Sequence, residues 1–274
     1  MWASTVAELN TMVRRGANWL MLSIAVVLML TFGYAVPYTA YLRGDSDSPA
    51  TAHMLDTVLP DHLVGIAIGG LPFFTGAIGL IIGALAVGGE YGWGTWKTLL
   101  TQGPSRLTVY SGKLASLAVA NAVLVGSSFA FGAASTAIIA SVEDKAADWP
   151  SLADLATGFG AGWMIAMMWT MAGVVLAIAT RGVAIPIGVG LVWMLGVQNL
   201  LAGIAAPLLD WVADLQKWLP GPNAGSLAGA LGVAKTTPGY SDIVSSGHAV
   251  ALVAAYLLVF AAIGGVVLRR RDVV

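Results

Sequence analysis

GGEYGWGTWKTLLTQGPSRLTVYSGK, residues 88–113, gathers Glu90, Lys97, Arg106 and Lys113 between two long runs that hold no Asp, Glu, Lys or Arg. Those runs, Leu63–Val87 and Leu114–Ala140, each exceed the roughly 20 apolar residues needed to cross a bilayer's hydrocarbon core. The charged stretch therefore reads as a loop joining two membrane spans. The rest of the chain agrees, with 58% apolar residues, only 10% charged and a mean hydropathy of +0.82, far from a soluble domain's balance.

Four further runs have the same character: Trp19–Tyr38, Gly160–Thr180, Val183–Ala206 and Ala249–Leu268. The first is too long for a signal-peptide core, and its aromatic end, FGYAVPYTAYL, lacks a small-residue cleavage pattern. The fold class is thus an all-α membrane protein of six spans, one transmembrane domain over 1–274. An even span count puts both termini on one side, and placement of charge says which. That side carries Arg14, Arg15, Lys97, Arg106, Lys113, Arg181, Arg269, Arg270 and Arg271, nine of the 13 basic residues, while 11 of the 14 acids fall opposite. By the positive-inside rule both termini are expected in the cytoplasm of a cell membrane, and the opening stretch is a cytoplasmic loop.

Outside the spans, residues 1–17 read as an amphipathic helix on the cytoplasmic surface, with a Thr5-x-x-Glu8 capping box and Val6, Leu9, Met12 and Val13 apolar. Residues 207–247 read as a long external loop. Its PLLDWVADLQKWLPGP forms an interfacial or re-entrant helix, with Leu208, Trp211, Val212, Leu215 and Trp218 on one face and Pro220 closing it. External carboxylates such as Asp45 and Glu143 read as a solvated face.

Several chemistries are disfavoured. The spans offer no ionisable group for proton coupling or voltage sensing. His53, His62 and His248 lie in or beside external loops, so neither a buried haem pair nor a zinc motif is present, and no metal site is expected. There is no cysteine. Gly112-Lys113 is followed by Leu114, so no phosphate loop is formed. Ser245-Ser246-Gly247-His248 lacks an acidic residue to orient the histidine and reads as capping chemistry, leaving no catalytic residue. Gln198-Asn199 in the fifth span needs hydrogen-bond partners; an interhelical or self-association bond is preferred over substrate contact, and both stay open. Pro72 and Pro186 read as local helix adjustments rather than gating hinges.

Within the loop, Gly88-Gly89 is expected to release the chain from its helix, with Glu90 at the boundary and Tyr91 and Trp93 at headgroup depth. Thr95 caps a two-turn helix, Thr95–Gln102, which Gly103-Pro104 ends, and Ser105 caps the next helix carrying Arg106, Tyr110 and Lys113. Helix, break, helix is a geometry for docking a partner.

In the order Glu90, Gly94-Thr95, Leu99-Leu100, Arg106 and Lys113, this loop resembles that of permease subunits of ABC transporters of the type-2 exporter class. The six-span layout with a surface helix before it is similar too. The resemblance implies a coupling helix in which Gly94, Thr95, Trp96, Lys97, Leu99 and Leu100 seat in a cytoplasmic ATPase subunit, supported by Glu90, Arg106 and Lys113. It implies two permeases, expected as a homodimer, with two ATPase subunits that bind the ATP and magnesium this chain has no motif for. Export of a hydrophobic or amphipathic substrate such as a drug, peptide antibiotic or lipid fits a path without fixed charge. The competing description of Arg106 and Lys113 is an anchor to lipid phosphates, and that of Glu90 a solvated carboxylate. A non-transporting assembly or anchoring subunit is the alternative function; an intramembrane enzyme is disfavoured by the charge-free spans. No nucleic-acid partner is expected.

Overall fold

The computed structural model describes residues 2–45, 48–92, 94 and 105–270, and these form helices without a strand. Six of the helices are long and apolar enough to cross a membrane: α2 (Gly16–Arg43), α5 (Phe74–Gly92), α6 (Arg106–Val142), α7 (Leu152–Thr180), α8 (Ala184–Ala205) and α11 (Ser246–Arg270). Shorter helices complete the fold, namely α1 (Trp2–Arg14), α3 (Pro49–Asp56), α4 (Leu63–Gly69), α9 (Asp210–Gln216) and α10 (Pro220–Gly229).

Lipid is as apolar as leucine, so helices in a bilayer associate through close contact and polar links rather than through apolar burial. The α5–α7 pair shows the first device. A Cβ at Gly173 would lie 2.9 Å from the Leu80 carbonyl carbon, and one at Gly83 the same distance from that of Thr170, so the two backbones touch where glycine faces them. Around this pair sits the core, with Ile68, Leu80, Ile165, Met168, Trp169 and Val174 buried. Asn121 on α6 accepts a hydrogen bond from Thr170 at 3.1 Å and thereby shows the second device. The helices α2, α8 and α11 line the outside and expose Val27, Val189, Leu200 and Leu258.

The second span departs from the sequence reading. Leu63–Val87 is not one helix: α4 ends at Gly69, the chain turns through Pro72, and α5 begins at Phe74. Proline has no N–H and pushes its predecessor out of helical geometry. Thr75 N–H bonds back to the Gly70 carbonyl at 2.8 Å across the break. The break is packed rather than empty, because Gly239, in the left-handed region at φ +87°, approaches so closely that a Cβ there would lie 3.1 Å from Pro72 Cβ. Pro72 thus ends a helix, a larger effect than a local adjustment.

Two expectations outside the spans also change. Thr5 does not open a capping box, since α1 already runs from Trp2. The stripe Thr5, Glu8 and Met12, at helical spacing, turns inward instead, and Ser4 packs so closely on α6 that a Cβ at Gly112 would lie 2.9 Å from Ser4 Cβ. Pro220 does not merely close α9; it is the first residue of α10, where the missing N–H costs nothing. Helix α9 leaves Trp211 and Leu215 exposed, as is Trp218 just after it, and buries Val212 and Gln216. Helix α10, built of small residues, is buried along nearly its whole length with Ala224 and Ala228 fully enclosed.

Candidate functional site

The loop of interest leaves α5 and enters α6, and its two feet are well defined. Helix α5 continues past Gly88-Gly89 to Gly92; Gly88 instead allows close packing against Gly182. The exit falls at Gly94, left-handed at φ +65°, whose N–H reaches the Tyr91 carbonyl at 3.3 Å. At the other foot Ser105 caps α6, as its sequence suggests, its Oγ accepting the Thr108 N–H at 3.2 Å. Thr95, Trp96, Lys97, Leu99 and Leu100, with the helix expected over Thr95–Gln102, and Trp93 lie outside the described residues.

The feet are tied into the bundle by side chains spaced four and three residues apart on one face of α6. Arg106 Nη1 donates to the Leu268 carbonyl at 3.3 Å and Tyr110 Oη to the Ala261 carbonyl at 2.8 Å, both on α11. Lys113, only 1% exposed, reaches α5 and α1 rather than α11. Its Nζ pairs with Glu90 Oε1 on α5 and, at 2.8 Å, with Glu8 Oε1 on α1. Arg15, just after α1, adds a long contact of 3.5 Å to the Leu85 carbonyl. Lys113 is therefore no anchor to lipid phosphate, and Glu90, 6% exposed, is no solvated carboxylate. Burial of such charges is tolerable only because they meet one another.

One short run of α6 thus fastens three helices, α1, α5 and α11, and brings α1 and the last turn of α11 to the loop's end of the bundle. Sequence reasoning grouped Glu90, Arg106 and Lys113 but missed Glu8, which it assigned to a cap. The usable signal was the Thr5, Glu8, Met12 spacing, which puts Glu8 on the face that α1 buries.

Gln198 and Asn199, adjacent on α8, part company. Residues 192–197 and 201–205 of this helix are π-helical, flanking the pair. Gln198 is buried, and its Oε1 accepts the Gly221 N–H at 2.8 Å. Pro220 and Pro222 have no N–H, so Gln198 caps α10 from across the bundle by taking the donor between them. The interhelical reading holds for it. Asn199 is exposed and bonds its own helix, Nδ2 to the Leu195 carbonyl at 2.8 Å.

At the end of the bundle away from the loop, Glu143 keeps part of its surface in solvent, as its loop position suggests, and also has protein partners. Tyr38 and Tyr41 on α2 donate to its two carboxylate oxygens at 2.6 and 2.8 Å, linking the first span to the end of the third. These two bonds favour the ionised form and hold the Glu143 carboxyl below its usual range. Nearby, Ser245 Oγ accepts the His248 N–H at 3.4 Å, the capping role expected of it. Among the described residues no three His, Cys, Asp or Glu side chains group as metal ligands would.

Residues 2–273 match the family described as ABC-2 family transporter protein. Among curated proteins none matches the chain.

Proposed function

From the premise that this chain belongs to the ABC-2 transporter family, we propose that it is the permease subunit of an ATP-driven exporter for hydrophobic or amphipathic molecules. The family's permeases are multi-pass membrane components without an ATPase site of their own, and they generally work with an ATPase subunit. The finer reading is ours: two copies of this chain, two cytoplasmic ATPase subunits holding ATP and magnesium, and both termini on the cytoplasmic side of the cell membrane.

The observation that carries the reading is the fastening of the loop's feet. Pull on residues 95–104 is transmitted only if the helices at both ends resist separation. Lys113 joins α6 to α5 and α1, and Arg106 and Tyr110 join it to α11, so displacement of the loop moves these helices together. In this reading Thr95, Trp96, Lys97, Leu99 and Leu100 enter the ATPase cleft, Gly94 supplies the turn, and Glu90, Arg106 and Lys113 hold the frame. ATP binding that draws two ATPase subunits together then draws two such frames together.

The test is co-expression with the ATPase subunit that co-purifies with the chain, followed by reconstitution in vesicles. ATP turnover stimulated by a hydrophobic substrate and abolished by Leu99→Asp with Leu100→Asp is expected. Stable binding of the partner with turnover indifferent to every substrate tried would favour an anchoring subunit instead.

A further inference from the structure

A cavity of about 70 Å³ lies where the break at Pro72–Phe73, the π-helical part of α8, the start of α10 and the chain near Gly239 converge. Gln198 lines it, together with Phe73, Met194 and Tyr240, and no charged side chain does so among the described residues. The orientation of the Gln198 amide is settled by chemistry: the Gly221 N–H can only donate, so the carbonyl oxygen must face it. The amide nitrogen then lies opposite, and it is buried without a partner among the described residues. A buried donor left unmatched costs free energy, and in a native fold it asks for an occupant that accepts.

The occupant's chemistry follows from the walls. Asn199, Gln216 and Ser241 also line the cavity, but the Asn199 and Gln216 amide nitrogens are spent on the Leu195 and Leu201 carbonyls, so the unmatched buried donor is Gln198 Nε2. That donor and no cation select a neutral acceptor, because an anion would lose its hydration with no charge to replace it. The volume admits one functional group and not a drug-sized body, for which pockets are several times larger. Asn199 and Ala202, which also line the cavity, are exposed on α8, where Leu200 and Ile204 are exposed beside them, so a tail leaving the cavity meets apolar helix surface. We propose that this cavity binds a neutral carbonyl group carried on an apolar chain, hydrogen-bonded to Gln198 Nε2 and flanked by Phe73, Met194 and Tyr240. As a station on the cargo route it rests on the transport reading above, but as a binding site it does not.

The test uses the full chain in lipid nanodiscs, without ATP or a partner, and a diazirine-bearing dodecanamide as photolabel, mapped by mass spectrometry. Label is expected on residues 192–205 and 216–241, displaced by excess dodecanamide and not by dodecane. Gln198→Leu weakens labelling about tenfold, the size of one hydrogen bond, while Ser135→Leu, at a partly exposed position of α6 outside the cavity lining, leaves it unchanged. Displacement by dodecane as readily as by the amide, which needs no variant to observe, overturns the proposal; so does full labelling of a folded Gln198→Leu protein. Discs of ether-linked instead of ester-linked phosphatidylcholine separate the sources: stronger labelling in ether lipid assigns the site to lipid ester carbonyls, equal labelling to a free amphipath, and the carbonyl site stands either way. Intact labelling with no ATP-driven transport would defeat the transport reading and leave the site.

Discussion

Replacing Lys113 by Met removes the ammonium that Glu8 and Glu90 share and leaves a methionine of similar length in its place. The cost is set by Glu90, 6% exposed, more than by Glu8, whose side chain keeps 14% of its surface in contact with solvent. Removing one partner of a buried pair typically costs about 3–5 kcal/mol, because the remaining charge has nowhere to go. For a chain of this size that converts to a fall in Tm of roughly 10 °C. The fold supplies its own control, since Lys217 and Asp214 form a pair at 2.8 Å with side chains 48% and 74% exposed. A pair so exposed contributes less than about 1 kcal/mol, so Lys217→Met should shift Tm by no more than about 2 °C. Combining Lys113→Met with Glu90→Gln removes the stranded charge as well, and most of the loss should return. The assay is thermal unfolding of the purified protein in one detergent at one pH, with the wild type, Lys113→Met, Glu90→Gln and their double variant forming a cycle and Lys217→Met as the control. A Lys113→Met protein no less stable than Lys217→Met, or a double variant as damaged as the single, would refute the claim that this cluster holds the loop's feet.

Four further outcomes are expected. Gly173→Val should cost about 3 kcal/mol by forcing α7 off α5, since the new side chain meets the Leu80 backbone; chemical unfolding measures it. Tyr110→Phe should cost about 1 kcal/mol and speed hydrogen exchange in α11, whose Ala261 carbonyl loses its extra donor. The Glu143 carboxyl, held low by Tyr38 and Tyr41, contributes stability that is present above the ordinary carboxylate range and lost as pH falls through its folded value. Tyr38→Phe with Tyr41→Phe should therefore flatten the acid side of the Tm-against-pH curve, and an unchanged curve would show the link to be idle. Leu99→Asp with Leu100→Asp should abolish co-purification of the ATPase subunit while the permease still reaches the membrane, as read by affinity capture.

Span number and family were legible because both rest on local signals: run length without charge, and residue spacing. What the sequence hid was whatever depended on a distant neighbour. Pro72 looks the same whether it bends a helix or ends one; the outcome depends on Gly239, more than 150 residues away, filling the break. Pro220 reads as a stop for α9, and only the burial of the small-residue helix after it reveals a start. Glu8 fits a capping box in sequence, and the competition is won by Lys113, a full charge, over a backbone N–H. Glu143 sits among acids that suggest solvent, yet two tyrosines from another span reach it. Gln198 announced that it needed a partner, but not that a donor stranded between two prolines would be that partner.

These placements give the two ends of the bundle different mechanical characters. At the loop end the links run across helices: Lys113 to α1 and α5, Arg106 and Tyr110 to α11, over regular α-helix throughout. The helices there are continuous, and α5 and α7 approach backbone to backbone at Gly83 and Gly173. At the other end the helices are interrupted, the second span at Gly70–Phe73 and the fifth by two π-helical stretches. Breaks of this kind persist in a membrane only where protein or a polar cavity satisfies the freed backbone groups, and here Gln216 donates to the Leu201 carbonyl at 3.0 Å while Gln198 accepts from Gly221. In the transport reading proposed above, work enters at the loop and the path opens at the other end, an order of parts that these placements suit; the reverse order would put the breaks beside the loop, where a pull would be absorbed first.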